Sequence, residues 1–435
     1  MPRPMTRFTA SCAALGVVAS CAFGAKVVST TDAGTDAPVS DAGVVTYNDM
    51  TNAANWTFFD TTTVDPNATG YFGSAFDGRY VYFSPVQETN GIALEYDTQA
   101  SFGAAKSWST FVLGNDAGGG RFVGAAYDSR YLYYPPFNQS SPTMARYDTQ
   151  GTYTSASSWT MLDISNVVTS AGASMVGAVF AGGHVYLPPY NNSVVLSYDT
   201  TGPFAIGGSC SSFDASALIG ASFESCGGAW DGRYVYFAPF AGTTASGLVL
   251  RYDSTMAFTT AGSWSTFDAT TVDPNATAFE GAVFDGRYVY LVPSGAAFTS
   301  GLAIRYDTTS AFTGASSWAK FDMTTLNPNA AGFVGGAFDG RYVYYVPYGT
   351  TTGTSGVVAR FDTTAQAGFT SPSAWQTINL VALDPNASGY STAAFDGRYL
   401  YLSPNLAAGE PGHVVARFDA RTPPGLPTTY FGSFF

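Results

Sequence analysis

The chain has 435 residues, of which 46% are hydrophobic, 16% aromatic and 11% charged, with a formal net charge of −13. Material for a large core is present. The acidic balance argues against nucleic acid, which needs basic surface to displace counterions, and against adhesion to anionic lipid headgroups.

Residues 1–21 read as an export signal. Arg3 and Arg7 make a basic start, and the apolar run at 8–18 is too short to cross a membrane as a helix. Val18-Ala19-Ser20-Cys21 follows. This tetrapeptide resembles the lipobox of bacterial lipoproteins, and the resemblance implies that Cys21 becomes the lipidated first residue. Ordinary cleavage, for instance after Gly24, is the alternative. Residues 22–51 are a low-complexity stretch of Asp, Ala, Gly, Thr and Ser, expected to form a flexible, solvated tether. Anchor and tether together suit a domain held on the outer membrane or cell surface. Without the lipid the protein would be secreted.

A repeat fills residues 52–421. Its most regular stretch is Phe-Asp-Gly-Arg-Tyr-Val-Tyr at 284–290, repeated at 76–82 and 338–344. Close copies start at Tyr127, Trp230 and Phe395, and a decayed one, FAGGHVY, starts at Phe180. That makes seven copies spaced 50 to 57 residues apart. Each unit reads as four strands. The innermost carries Gly and Ala, small enough for a crowded central axis. Asp-Gly then signals a type I′ hairpin. The second strand is aromatic and β-branched, as a strand covered on both faces would be. It stops at Pro85, Pro135, Pro188, Pro239, Pro293, Pro347 or Pro404, since proline cannot donate to the ladder. The third ends in Tyr/Phe-Asp. The outermost opens on Trp56, Trp108, Trp159, Trp264, Trp318 or Trp375, with Cys210 at that place in the third unit.

Four antiparallel strands per unit, seven times over, predict an all-β, seven-bladed β-propeller. The units resemble kelch-type blades in the order of aromatic second strand, Tyr-Asp at the end of the third and Trp opening the fourth. The likeness departs where the kelch double glycine is replaced by proline. The phase of the repeat predicts the closure. The chain opens on a fourth-strand motif (56–60) and ends on a third-strand motif (414–419), so the N-terminal strand completes the last blade and no sheet edge is left bare. Residues 422–435 fall outside the repeat as an aromatic tail, expected to pack across the last blade or to serve as an interaction tail.

Residues kept in every unit belong first to the scaffold. The heptapeptide Arg residues are expected to meet Asp of their own or a neighbouring blade, the repeated Asp residues to form turns, and the Trp residues to pack between blades. The Asp-Pro-Asn-Ala loops at 65–68, 273–276 and 384–387 read as turns before they read as calcium loops. Two cysteines remain in the folded region, Cys210 and Cys226. Export favours a disulfide between them, although the repeat places them toward opposite faces, so that either the loop is remodelled or the thiols stay free.

No HExxH, metal-type Cys/His cluster, phosphate-binding Gly loop or GxSxG elbow is present. The expectation is a non-catalytic protein with no cofactor or metal, and a monomer. Binding residues concentrate on loops carried by a rigid scaffold. After the second-strand proline come Phe137, Tyr190, Phe240 and Tyr348, with Asn138 and Asn191 beside the first two. Aromatic plus amide is a chemistry for sugar or peptide. The leading expectation is therefore a surface propeller that binds glycan or protein on the loop face. A carbohydrate-active enzyme, which needs only two carboxylates, and a structural envelope protein are the alternatives.

Overall fold

The computed structural model describes residues 45–86, 91–114, 121–139, 142–167, 174–190, 192–220, 223–240, 246–407 and 409–422. Residues 1–44, with the expected signal and Cys21, and the last thirteen residues lie outside them. Seven four-stranded antiparallel sheets follow one another as the blades of a propeller, numbered here by the chain order of their inner strands. Blade five shows the pattern, with strands Phe279–Phe284, Tyr288–Pro293, Leu302–Asp307 and Trp318–Asp322 from the axis outward. In blade seven the outer strand is Trp56–Asp60, paired antiparallel with Val414–Asp419 from Trp56↔Phe418 to Asp60↔Val414. The ring is thus closed by joining the two ends of the repeat. A second clasp, Thr46–Tyr47 against Arg421–Thr422, lies beside it.

The inner strands meet around the axis through glycine. The Gly124 N–H donates to the Phe72 carbonyl at 2.6 Å and the Gly177 N–H to the Val123 carbonyl at 2.8 Å. A Cβ on Gly124 would stand 2.5 Å from the Gly177 Cα, closer than atoms can approach. In blade five the inner strand bulges beside the equivalent Gly281, as the register shift between Phe279 and Ala282 shows.

The core lies between blades. One cluster joins Val283, Tyr290 and Phe321 of blade five to Val343, Phe361 and Trp375 of blade six. In five blades the outer-strand Trp stacks on the outer-strand Phe of the preceding blade, whereas Trp56 stacks on Phe418 of its own. Trp108 lies on Phe59 at 4.4 Å, Trp264 on Phe213 at 4.3 Å and Trp318 on Phe267 at 4.3 Å. Each indole N–H is satisfied by the carbonyl six residues earlier, as in Trp318 Nε1 to Phe312 at 3.0 Å. The same bond runs from Trp56 to the Met50 carbonyl, and Met50 is fully buried. Met50 thus fills the place that Phe102 or Phe312 holds elsewhere.

The heptapeptide is claimed by the scaffold. Arg287 pairs with Asp307 of its own blade at 2.8 Å, and Arg79, Arg130, Arg233, Arg341 and Arg398 each do the same in theirs. Asp285 accepts the Arg287 and Tyr288 N–H groups on one oxygen and the Tyr290 hydroxyl on the other. This carboxylate corrects the expected turn type. Gly78, Gly232, Gly286, Gly340 and Gly397 have φ between 97° and 104° while the Arg after each does not have positive φ, so the two successive positive φ values of a type I′ turn are absent. Only blade three, where Ala181 replaces the Asp, has two positive φ values, at Gly182 and Gly183.

The disulfide expectation is also corrected: Cys210 and Cys226 are free thiols. Cys210 opens the outer strand of blade three, whereas Cys226 lies on the inner strand of blade four, so the width of a sheet separates their places. The Asp-Pro-Asn loops are turns, with Asp65, Asp273 and Asp384 each accepting the N–H two residues on. Among the described residues no three His, Cys, Asp or Glu come together as a metal site would require.

Candidate functional site

The second strand runs outward along the axis and ends at its proline, level with the start of the inner strand. At that end the next residue, or in blades two and three the one after a second proline (Pro136, Pro189), is pinned by one recurring backbone bond. The Phe137 N–H donates to the Arg121 carbonyl at 3.0 Å, Tyr190 to Ser174 at 2.9 Å, Phe240 to Glu224 at 2.9 Å and Tyr348 to Gly332 at 2.9 Å. Val86 to Gly70, Ser294 to Ala278 and Asn405 to Gly389 complete the set. Seven residues, one per blade, therefore stand at equivalent places around one end of the ring, Val86, Phe137, Tyr190, Phe240, Ser294, Tyr348 and Asn405, with Ser294 and Asn405 buried.

Three of the four aromatics named from sequence form a continuous row. Phe137 meets Tyr190 at 5.4 Å, and Tyr190 meets Phe240 at 5.4 Å. All three are half-buried, over Val123, Val176 and Cys226. Tyr348 stands apart and pairs with Phe298 at 4.8 Å. Of the amides, Asn138 is exposed, and its backbone N–H is held by the Ser174 hydroxyl at 2.9 Å. Asn191 lies outside the described residues. Gln139 is buried and structural, donating to the Arg121 carbonyl and accepting from the Thr143 N–H.

Below this ring runs the channel itself, a cavity of about 200 Å³ lined mostly by Gly, Ala and Val. That is smaller than the sites that take drug-sized ligands. Phe72, Val176, Cys226, Glu280 and Val334 hold its upper wall, and Glu280 is the one ionisable carboxylate lining it. Glu280 is 94% removed from solvent (6% exposed) and has only the Ser294 hydroxyl as a hydrogen-bonding side chain acting on it. Burial pushes its pKa up to about 8. The Tyr190 and Tyr348 hydroxyls and the Cys226 thiol are all within electrostatic reach of it, and burial raises each of them too. Glu224, beside the mouth, is raised by burial, and Arg121, in the same place two blades away, is lowered by it.

Glu280 was not singled out by sequence. The signal lay in the repeat: its counterparts are Phe72, Val123, Val176, Cys226, Val334 and Ser391, none of them acidic. Ser294 departs with it, standing where blades two, three, four and six have an aromatic. His184, the other repeat-breaker, is half-buried against Tyr186 with Nδ1 at 3.3 Å from the Gly182 carbonyl.

Comparison with known protein families finds no match, and comparison with curated proteins finds none either. Among solved structures, the crystal structure of the Myceliophteria thermophila Cps50 (Swd1) β-propeller domain aligns at a TM-score of 0.53 with 11% identity, covering 81% of this chain and 97% of that one. A computationally designed protein, Ika8, aligns at a TM-score of 0.44 with 10% identity. At these identities the first likeness shows the propeller fold and nothing of a ligand, and the second carries no argument.

Proposed function

We propose that this chain is a non-catalytic binding propeller that engages a glycan or protein partner at the mouth ringed by Phe137, Tyr190, Phe240 and Tyr348. The observation that supports this most is the row Phe137–Tyr190–Phe240, three half-buried rings at successive blades on rigid strand ends. Aromatic faces left partly in water on a rigid support bury large area on binding at low entropic cost. The kelch-like blade pattern belongs to the same reading, as does display on a bacterial surface through a lipid on Cys21, with secretion the alternative.

The binding claim is tested by screening the purified protein on a glycan array and on a displayed peptide library, alongside the Phe137→Ala/Tyr190→Ala/Phe240→Ala variant. The reading expects ligands recovered with the wild type to be lost with the variant at unchanged melting behaviour. Ligands retained by the variant would remove the mouth from consideration. Anchorage is tested by metabolic labelling with an alkyne fatty acid, which should mark the wild type and not Cys21→Ser; equal labelling of both, or of neither, contradicts it.

A further inference from the structure

We infer, resting on the reading that the mouth is a binding face, that the blade-five sector of the channel receives a lysine or arginine side chain of a protein partner, with the Glu280 carboxylate as its counter-ion. Four observations converge there. Glu280 lines the channel and forms no ion pair among the described residues. The repeat places a neutral residue at this position in every other blade, so no feature of blade construction calls for the acid. Ser294, directly after the proline of the same blade, leaves a gap in the aromatic ring between Phe240 of blade four and Tyr348 of blade six. The far side of that gap is held under strain: Ala297 and Phe298 both have φ of 58°, and Phe298 is packed on Tyr348. Left-handed backbone at two successive residues with side chains persists only where surrounding structure holds it, and such strain gathers at ligand sites.

A buried carboxylate is what a desolvated ammonium or guanidinium group requires as a partner, through charge-assisted hydrogen bonds, and Phe240 and Tyr348 on the two neighbouring blades supply aromatic rings at the mouth for its stem. The cavity of about 200 Å³ suits one side chain rather than a larger ligand. The chain's net charge of −13 draws a basic partner toward it. Because burial holds Glu280 in its protonated form near neutral pH, seating a cation releases that proton to solvent. The titratable groups facing Glu280 are Tyr190, Tyr348 and Cys226, with Glu224 near the last, and burial keeps all of them protonated more readily than in water.

The test uses capped Gly-Arg-Gly and its neutral isostere Gly-citrulline-Gly, titrated calorimetrically into the wild type and Glu280→Gln at pH 7. The wild type should prefer the arginine peptide by about tenfold or more and release a proton on binding it, read from buffers of different ionisation enthalpy. Glu280→Gln should bind both peptides alike and release none. Absence of binding to the wild type, equal binding of the two peptides by it, or a preference that survives Glu280→Gln each overturns the proposal. If the triple aromatic variant loses its ligands while no arginine preference exists, the binding face stands and the cationic anchor falls.

Discussion

Glu280→Gln should stabilise the protein in neutral and mildly alkaline solution and leave it unchanged in mild acid. Burial raises the Glu280 carboxyl from 4.5 to about 8. Between those values the folded chain holds a proton that the unfolded chain has released, so stability falls as pH rises and stops falling above the folded pKa. Each pH unit in the window is worth 1.36 kcal/mol. The wild type therefore gives up about 2 kcal/mol relative to the neutral isostere at pH 6, and up to about 5 kcal/mol at pH 8. The Ser294 hydroxyl donates to the Ala278 carbonyl at 3.1 Å in either protein, so the fold is not otherwise disturbed. Glu95, also pushed up to about 8 by burial, tilts both proteins alike, and the difference between them isolates Glu280. Urea unfolding at pH 5, 6, 7 and 8, followed by the fluorescence of the buried tryptophans, reads it directly. Parallel pH profiles for the two proteins would refute the reasoning.

The scaffold makes its own predictions. Trp318→Ala removes the stack on Phe267 and the indole bond to Phe312, and should cost about 3–5 kcal/mol in urea unfolding. Gly124→Val puts a Cβ 2.5 Å from the Gly177 Cα, so the ring cannot close and soluble yield and melting temperature should both drop sharply. Asp285→Ala strips the hairpin of three hydrogen bonds and should cost roughly 2–3 kcal/mol in the same urea assay, with the far-ultraviolet spectrum kept.

How much of this was legible in the sequence depended on what each residue is asked to do. Strand order, closure and the Arg–Asp pairs were readable because every blade repeats them and the chain's phase shows which strand is missing. The Trp residues were placed between blades correctly for the same reason. Turn type was misread because Asp-Gly alone signals type I′, whereas the Asp285 carboxylate, gripping two N–H groups and the Tyr290 hydroxyl, confines positive φ to Gly286. The packing of Met50 was not legible, because Met50 does not look like the Phe whose place it takes. For the site, the residue after each proline was identifiable from the strand's end, which brought Phe137, Tyr190 and Phe240 into view. Their mutual contact was not, since it depends on the curvature of the ring. Glu280 was hidden because periodicity names the positions of an inner strand without saying which of them faces the channel once the strand bulges at Gly281.

Hydroxyl-radical footprinting with a ligand recovered from the screens locates the bound ligand on the propeller. Met161 and Met256, exposed on the blades away from the mouth, serve as internal controls of high reactivity. Binding at the channel mouth should protect Phe137, Tyr190, Phe240 and Tyr348 with no change at either methionine. Protection of Met161 or Met256, with the four aromatics oxidised as in the free protein, would place the ligand elsewhere and contradict it.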